Sequence, residues 1–306
     1  RGRERIQWDI IRVQIPAPLS PDPFQGNWVT FRNAVANLIK QQVATADYDV
    51  DVDGEIDAAW IIVSNGNSEI RSALGGSSLN NSVNMFVDGQ SSGSVVSGAI
   101  GNFNHELAHL LGIPDLYGPY DTIHTLTLMS FPWPVPPPDF TAWERMHLGW
   151  LDPQVVTQTA RGVWLPSAHE VLAAVKIPPA RPSEYFLMEY RRRPDTGYGS
   201  AEAVPFNGLA VYHVLEGASM LTDPPIIRLD PADGIIVPGN QPLSVFDFVY
   251  PENPYMLRPL VLRSHFDGAP VVFQIENVIW RDGGLAFDVV MPDAVSSANM
   301  PELSQR

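Results

Sequence analysis

His105-Glu106-Leu107-Ala108-His109, running on through Leu110-Leu111-Gly112-Ile113-Pro114-Asp115, is the stretch that organises the reading of this chain. On a helix, residues four apart share a face, so both imidazoles reach one ion. Glu106 then stands where it acts on a water bound to that ion. With seven His and thirteen Glu in 306 residues, the chance expectation of the five-residue pattern is about 0.007. The bland alternative is an amphipathic helix with two hydrogen-bonded histidines and an incidental Glu. A helix is expected over 100–111, ended by Gly112, which enters the left-handed cap conformation without strain. Zinc takes three protein ligands and keeps one position open for water. Gly112 lets the chain turn back, Pro114 stiffens the turn, and Asp115 is the natural third ligand. Glu144 is the competing, more distant candidate for that place.

Working outward, Ala58–Val63 is a short β-branched apolar run that reads as a buried strand. Further upstream, residues 5–15 alternate as a strand with one phase slip, and residues 28–42 carry helical spacing through Trp28, Phe31, Val35, Leu38 and Ile39. Residues 64–98 are rich in Gly, Ser and Asn, with one strand candidate at Val83–Val87. Downstream come a Pro-rich loop at 131–139 and a short helix over 140–149. From residue 155 the texture changes to short alternating strands between Gly/Pro/Asp turns. Examples are Glu184–Tyr190, Gly208–Val214, Val271–Val278 and Leu285–Val290, which together read as an all-β, sandwich-like module. The expected class is α+β: a zinc-helix domain over 1–154, the β module over 155–295 and a tail over 296–306.

Asp49-x-Asp51-x-Asp53-Gly54-x-Ile56-Asp57 has the oxygen-ligand spacing of a calcium loop, with Gly at the sharp turn. It departs from that pattern at the twelfth position, where Trp60 replaces a bidentate Glu. Any further ligand comes from elsewhere, with Asp47 a candidate. A solvated acidic turn is the alternative.

Composition narrows the function classes. The net charge is −15, from 34 acidic and 19 basic residues. That argues against nucleic acid as a partner, which needs a basic face, and disfavours anionic membrane surfaces. There are no cysteines, which removes disulfides, thiolate catalysis and Cys-ligated zinc. No apolar run reaches about 18 residues, so no membrane insertion is expected. Arg1-Gly2-Arg3-Glu4-Arg5 lacks the apolar core of a signal peptide, so any such peptide is expected to be absent from this chain.

His105-Glu106-x-x-His109-x-x-Gly112-x-Pro114-Asp115-Leu116-Tyr117 resembles the immune inhibitor A family of secreted bacterial metallopeptidases, in the metzincin clan. Leu128-Met129-Ser130 resembles the Met-turn, whose methionine, here Met129, floors the zinc ligands. Ala142-Trp143 to Leu148-Gly149-Trp150-Leu151 is similar to the segment closing the family's catalytic domain. Tyr185–Arg191, Gly208–Val214, Ile275–Val278 and Leu285–Val289 resemble strands of its β module, so the likeness spans residues 40–291. The resemblance implies a secreted zinc endopeptidase acting on proteins or peptides, with His105, His109 and Asp115 on zinc and Glu106 as general base. It also implies calcium in the acidic loop.

Tyr117, Tyr120 and His213 are candidate donors to the oxyanion, against an ordinary packed or surface role for each. Arg191-Arg192-Arg193 reads as a solvated turn, and Glu189 carries no assignable role. The strand at Val83–Val87, read as a sheet edge, is a candidate for holding an extended substrate by strand addition. The rival function is a non-catalytic binding protein with a vestigial zinc site.

Overall fold

In a computed structural model of the chain, the residues described are 37–48, 52, 59–63, 72–75, 82–86, 101, 104–109, 111–132, 137–168, 170–178, 183–192, 207–236, 243, 247–251, 260–261, 266 and 273–291. The chain is mixed α/β, mostly sheet with few and short helices. Two compact units are distinguished, Arg1–Leu110 and Leu111–Arg306. No helix among the described residues is long and apolar enough to cross a membrane.

The first unit holds β1 (Ala59–Val63), β2 (Ser72–Gly75) and β3 (Ser82–Phe86). β1 matches the β-branched run at 58–63, and β3 matches the strand expected at 83–87. The sheet order is β1-β3-β2, with β1 parallel to β3 and β2 antiparallel to it. β3 is therefore bonded on both sides and is not an edge. The Gly/Ser-rich texture of 64–98 hides β2, the neighbour that closes off this strand. Residues 37–40 and 104–109 are helical, within the two helices expected at 28–42 and 100–111. The strand expected at 5–15 lies outside the described residues.

Among its described residues the second unit carries two sheets. Along the chain come β4 (Gln154–Val155), β5 (Ala160–Leu165), β6 (Val175–Ile177), β7 (Glu184–Arg191), β8 (Gly208–Leu215), β9 (Ile227–Leu229), β10 (Leu260–Val261), β11 (Gln274–Arg281) and β12 (Gly284–Val290). Five strands run in the order β4-β6-β7-β8-β9 and four in the order β10-β11-β12-β5. Side chains alternate across a strand, and the alternation sets the core. Phe186, Met188 and Tyr190 of β7 pair across the ladder with His213, Val211 and Leu209 of β8. Apart from His213, these join one apolar cluster with Val163 and Leu165 of β5, Ile275 of β11, and Leu285, Phe287 and Val289 of β12. Both sheets thus share this cluster. Burying a large apolar side chain such as Phe186 or Phe287 stabilises the fold by about 1.5–3 kcal/mol.

The other face of β7 is not solvated either, since every residue from Glu184 to Arg191 is buried. Residues of the segment 118–145 meet this side of the sheet. Thr122 Oγ1 accepts from Leu229 N, and Leu126 O and Phe140 O accept from Arg191. That segment includes the short helix Ala142–His147, capped by Thr141 through a reciprocal Thr141–Glu144 box. Arg191 therefore corrects the solvated-turn reading of the arginine run. It is fully buried at the end of β7, its Nε 2.8 Å from Glu189 Oε1, while Arg192 bonds Glu170 and Arg193 lies outside the described residues.

Candidate metal centre

The helix at 104–109 presents His105 and His109 one turn apart, their rings 4.8 Å between centroids and nearly perpendicular. His105 and Glu106 are buried, at 6% and 5% exposure, while His109 is half-buried. Gly112 has φ +90°, a left-handed conformation that an L side chain adopts only with strain. The chain leaves the helix there. Ile113 and Leu116 are buried on either side of exposed Pro114 and half-buried Asp115, so two apolar anchors fix the backbone that carries the carboxylate. His105, His109 and Asp115 each offer a ligand atom, all within 4.8 Å of one another. Two imidazole nitrogens and one carboxylate oxygen form a donor set that suits zinc and leaves a fourth position open.

Asp115 runs directly into a second supported feature. Leu116 N donates to Met129 O at 2.9 Å, and Met129 is fully buried. The turn Thr127–Ser130 is closed by Ser130 N donating to Thr127 O at 3.2 Å. At its start, Thr127 Oγ1 donates to Glu144 Oε1 at 2.5 Å and accepts from Met129 N at 3.1 Å. At its end, Ser130 Oγ donates to buried Asp121, whose other oxygen accepts from Ile123 N at 2.8 Å. His124 Nδ1 lies 3.2 Å from the same hydroxyl.

Glu144, the rival third ligand, is fully buried and spends both oxygens on protein donors. Oε1 takes Thr127, and Oε2 takes Thr141 N at 2.5 Å and Thr141 Oγ1 at 2.7 Å. Burial raises its carboxyl from 4.5 to about 7, against the pull of those hydrogen bonds and of Arg191, which favour the charged form. It does not belong to the converging trio.

Among the oxyanion candidates, Tyr117 is 46% exposed and Tyr120 half-buried, both in the loop just beyond Asp115. His213 is placed differently. It is fully buried on β8, its Nε2 2.7 Å from Glu184 Oε1 and its Nδ1 3.1 Å from Arg228 Nη2. Its ring stacks on Phe186 and Phe266. Both nitrogens are thus engaged inside the sheet, and the arrangement gives His213 a packing role.

The calcium candidates Asp49, Asp51, Asp53 and Asp57 lie outside the described residues. Within that loop Val52 alone is described, exposed and with φ 63°. Asp47 ends a 3-10 turn at Thr45–Asp47.

Sequence reasoning did not find Thr127, Glu189 or Arg191. Glu189 and Arg191 sit two apart, on one face of β7, and that spacing of opposite charges was the available signal. Thr127 carried no signal beyond its place before Leu128-Met129-Ser130. Comparison with family models, with curated proteins and with solved structures found no match to this chain.

Proposed function

We propose that the chain is a zinc-dependent endopeptidase with a metzincin-like catalytic domain and a sandwich-like β module, secreted and acting on proteins or peptides. The observation that carries this reading is that His105, His109 and Asp115 each bring a ligand atom within 4.8 Å of the others, with Glu106 buried on the same helix as the two histidines. Bound there, zinc would polarise the scissile carbonyl and acidify a water molecule. Glu106 would serve as the general base toward that water and would pass the proton on to the leaving amine. Tyr117 and Tyr120 are the remaining side chains offered for the oxyanion. Calcium in the loop Asp49–Asp57 is a structural cofactor in the same proposal.

The test joins zinc analysis to cleavage of denatured casein, with and without chelator. One zinc per chain and chelator-sensitive cleavage are expected. Glu106→Gln should keep the zinc and lose at least about 10²-fold in turnover, because Gln cannot take the proton. Stoichiometric zinc with no cleavage would refute the peptidase reading and leave the non-catalytic binding protein in its place.

A further inference from the structure

We propose that Thr127 is a positioning residue for the third zinc ligand, transmitting the fixed geometry of the five-stranded sheet to Asp115. The inference rests on the zinc reading of the His105, His109 and Asp115 trio. A threonine hydroxyl has one hydrogen to give and lone pairs to accept with. Here the hydrogen goes to Glu144 Oε1 and a lone pair takes Met129 N. The next bond, Leu116 N to Met129 O, fixes the residue joined to Asp115. A continuous path therefore leads from a buried carboxylate through one hydroxyl and one turn to the metal-facing side chain.

The path is anchored to β7 at two matching points. Arg191 Nη2 holds Leu126 O at 2.8 Å and Phe140 O at 3.2 Å, while Glu144 holds Thr127 and Thr141, the residues that follow each carbonyl. Two loops from different parts of the chain are clamped in parallel, by a strand arginine on one side and a helix glutamate on the other. Ile113 and Leu116 pin the backbone on either side of Asp115, and the Leu116 anchor is itself tied to Met129. Thr127 adds a constraint from the side of the sheet, and on this account the β module supports Asp115.

The experiment measures zinc affinity of the metal-stripped full chain by competition with a chromophoric chelator. Thr127→Val keeps the shape and removes the hydroxyl, and it should weaken zinc binding about 10- to 100-fold, the scale seen when a ligand's supporting bonds are lost. Thr127→Ser keeps the hydroxyl and should stay within about 3-fold of wild type. Val289→Ala, in the shared core but off this path, should lower the melting temperature and leave the zinc Kd within about 2-fold, as expected for distant sites. Thr127→Ala gives the same reading if the valine variant does not fold. Faster amide exchange at Leu116 in the hydroxyl-less variant should accompany the weaker binding. An unchanged zinc Kd in Thr127→Val or Thr127→Ala, or an equal loss in Val289→Ala, overturns the inference while the zinc reading stands. A wild-type chain that binds no zinc overturns both.

Discussion

Arg191→Met removes a guanidinium that is fully buried and held at three points. It bonds Glu189 Oε1 at 2.8 Å, Leu126 O at 2.8 Å and Phe140 O at 3.2 Å. Burial, the largest single effect, works against its charge, but Glu189, Tyr212 and Asp139 together outweigh it and hold its pKa above the ordinary arginine value. Methionine fills most of the volume, so the loss is chiefly electrostatic. Glu189 is left buried, with Tyr212 OH at 2.7 Å and Arg145 Nη1 no closer than 3.8 Å. Breaking a buried pair from one side costs about 3–5 kcal/mol, because the remaining charge is uncompensated. The two abandoned carbonyls add to that cost without being strictly additive. For a unit of this size, each kcal/mol lowers Tm by about 2–4 °C, so a drop of about 10 °C or more is expected. The assay is thermal unfolding followed by far-UV circular dichroism, at a fixed chelator concentration to remove metal linkage. The double variant Glu189→Gln/Arg191→Met should recover at least about 1 kcal/mol relative to the sum of the singles. An Arg191→Met variant within about 1 kcal/mol of wild type would refute the reasoning, since the pair would then be dispensable.

Three further outcomes follow from the site and its surroundings. Asp115→Ala should weaken zinc binding sharply, and Asp115→His should restore part of it because imidazole suits the same tetrahedral site; equilibrium dialysis decides, and full retention of zinc in the alanine variant would reject the ligand assignment. Calcium should raise Tm by mass action, and Asp51→Asn/Asp53→Asn should lose most of that response; an equal shift in the double variant would reject the loop site. Glu144 titrates near 7 in the fold against 4.5 when unfolded, so the folded state holds the extra proton between those values. Its contribution to stability is complete below 4.5, is lost as pH rises to about 7, and totals about 3 kcal/mol. Denaturation of wild type and Glu144→Gln at pH 5 and 7.5 should show the wild type losing more on going up in pH, and parallel losses would contradict the shift.

The elements most legible in the sequence are those governed by local rules. The helix at 104–109 was legible from the spacing of His105 and His109, and its end follows from Gly112, whose φ of +90° is the conformation that glycine adopts freely. Strands β7, β8 and β12 follow from short apolar and aromatic runs between turn residues. What stayed hidden depends on partners distant in the chain. Glu189 and Arg191 look like surface charges until the segment carrying Leu126 and Phe140 covers that face of β7. His213 looks like a free imidazole until Glu184 and Arg228 are brought to its two nitrogens. The central position of β3 needed β2, whose Ser-Ala-Leu-Gly run has no strand-like composition.

β7 is enclosed on both sides, and such a strand loses the usual contrast between a greasy face and a wet one. Sliding it by one residue against β8 would move Phe186, Met188 and Tyr190 to the side facing Leu126 and Phe140. Glu189 and Arg191 would then enter the apolar space shared with Leu285 and Phe287. A one-residue slip exchanges every side chain between faces, and here it would strip the guanidinium of both carbonyls and set an ion pair among aliphatic groups. The buried charges thus serve as an index mark on the strand. They make one alignment of β7 acceptable where hydrophobicity alone would tolerate two.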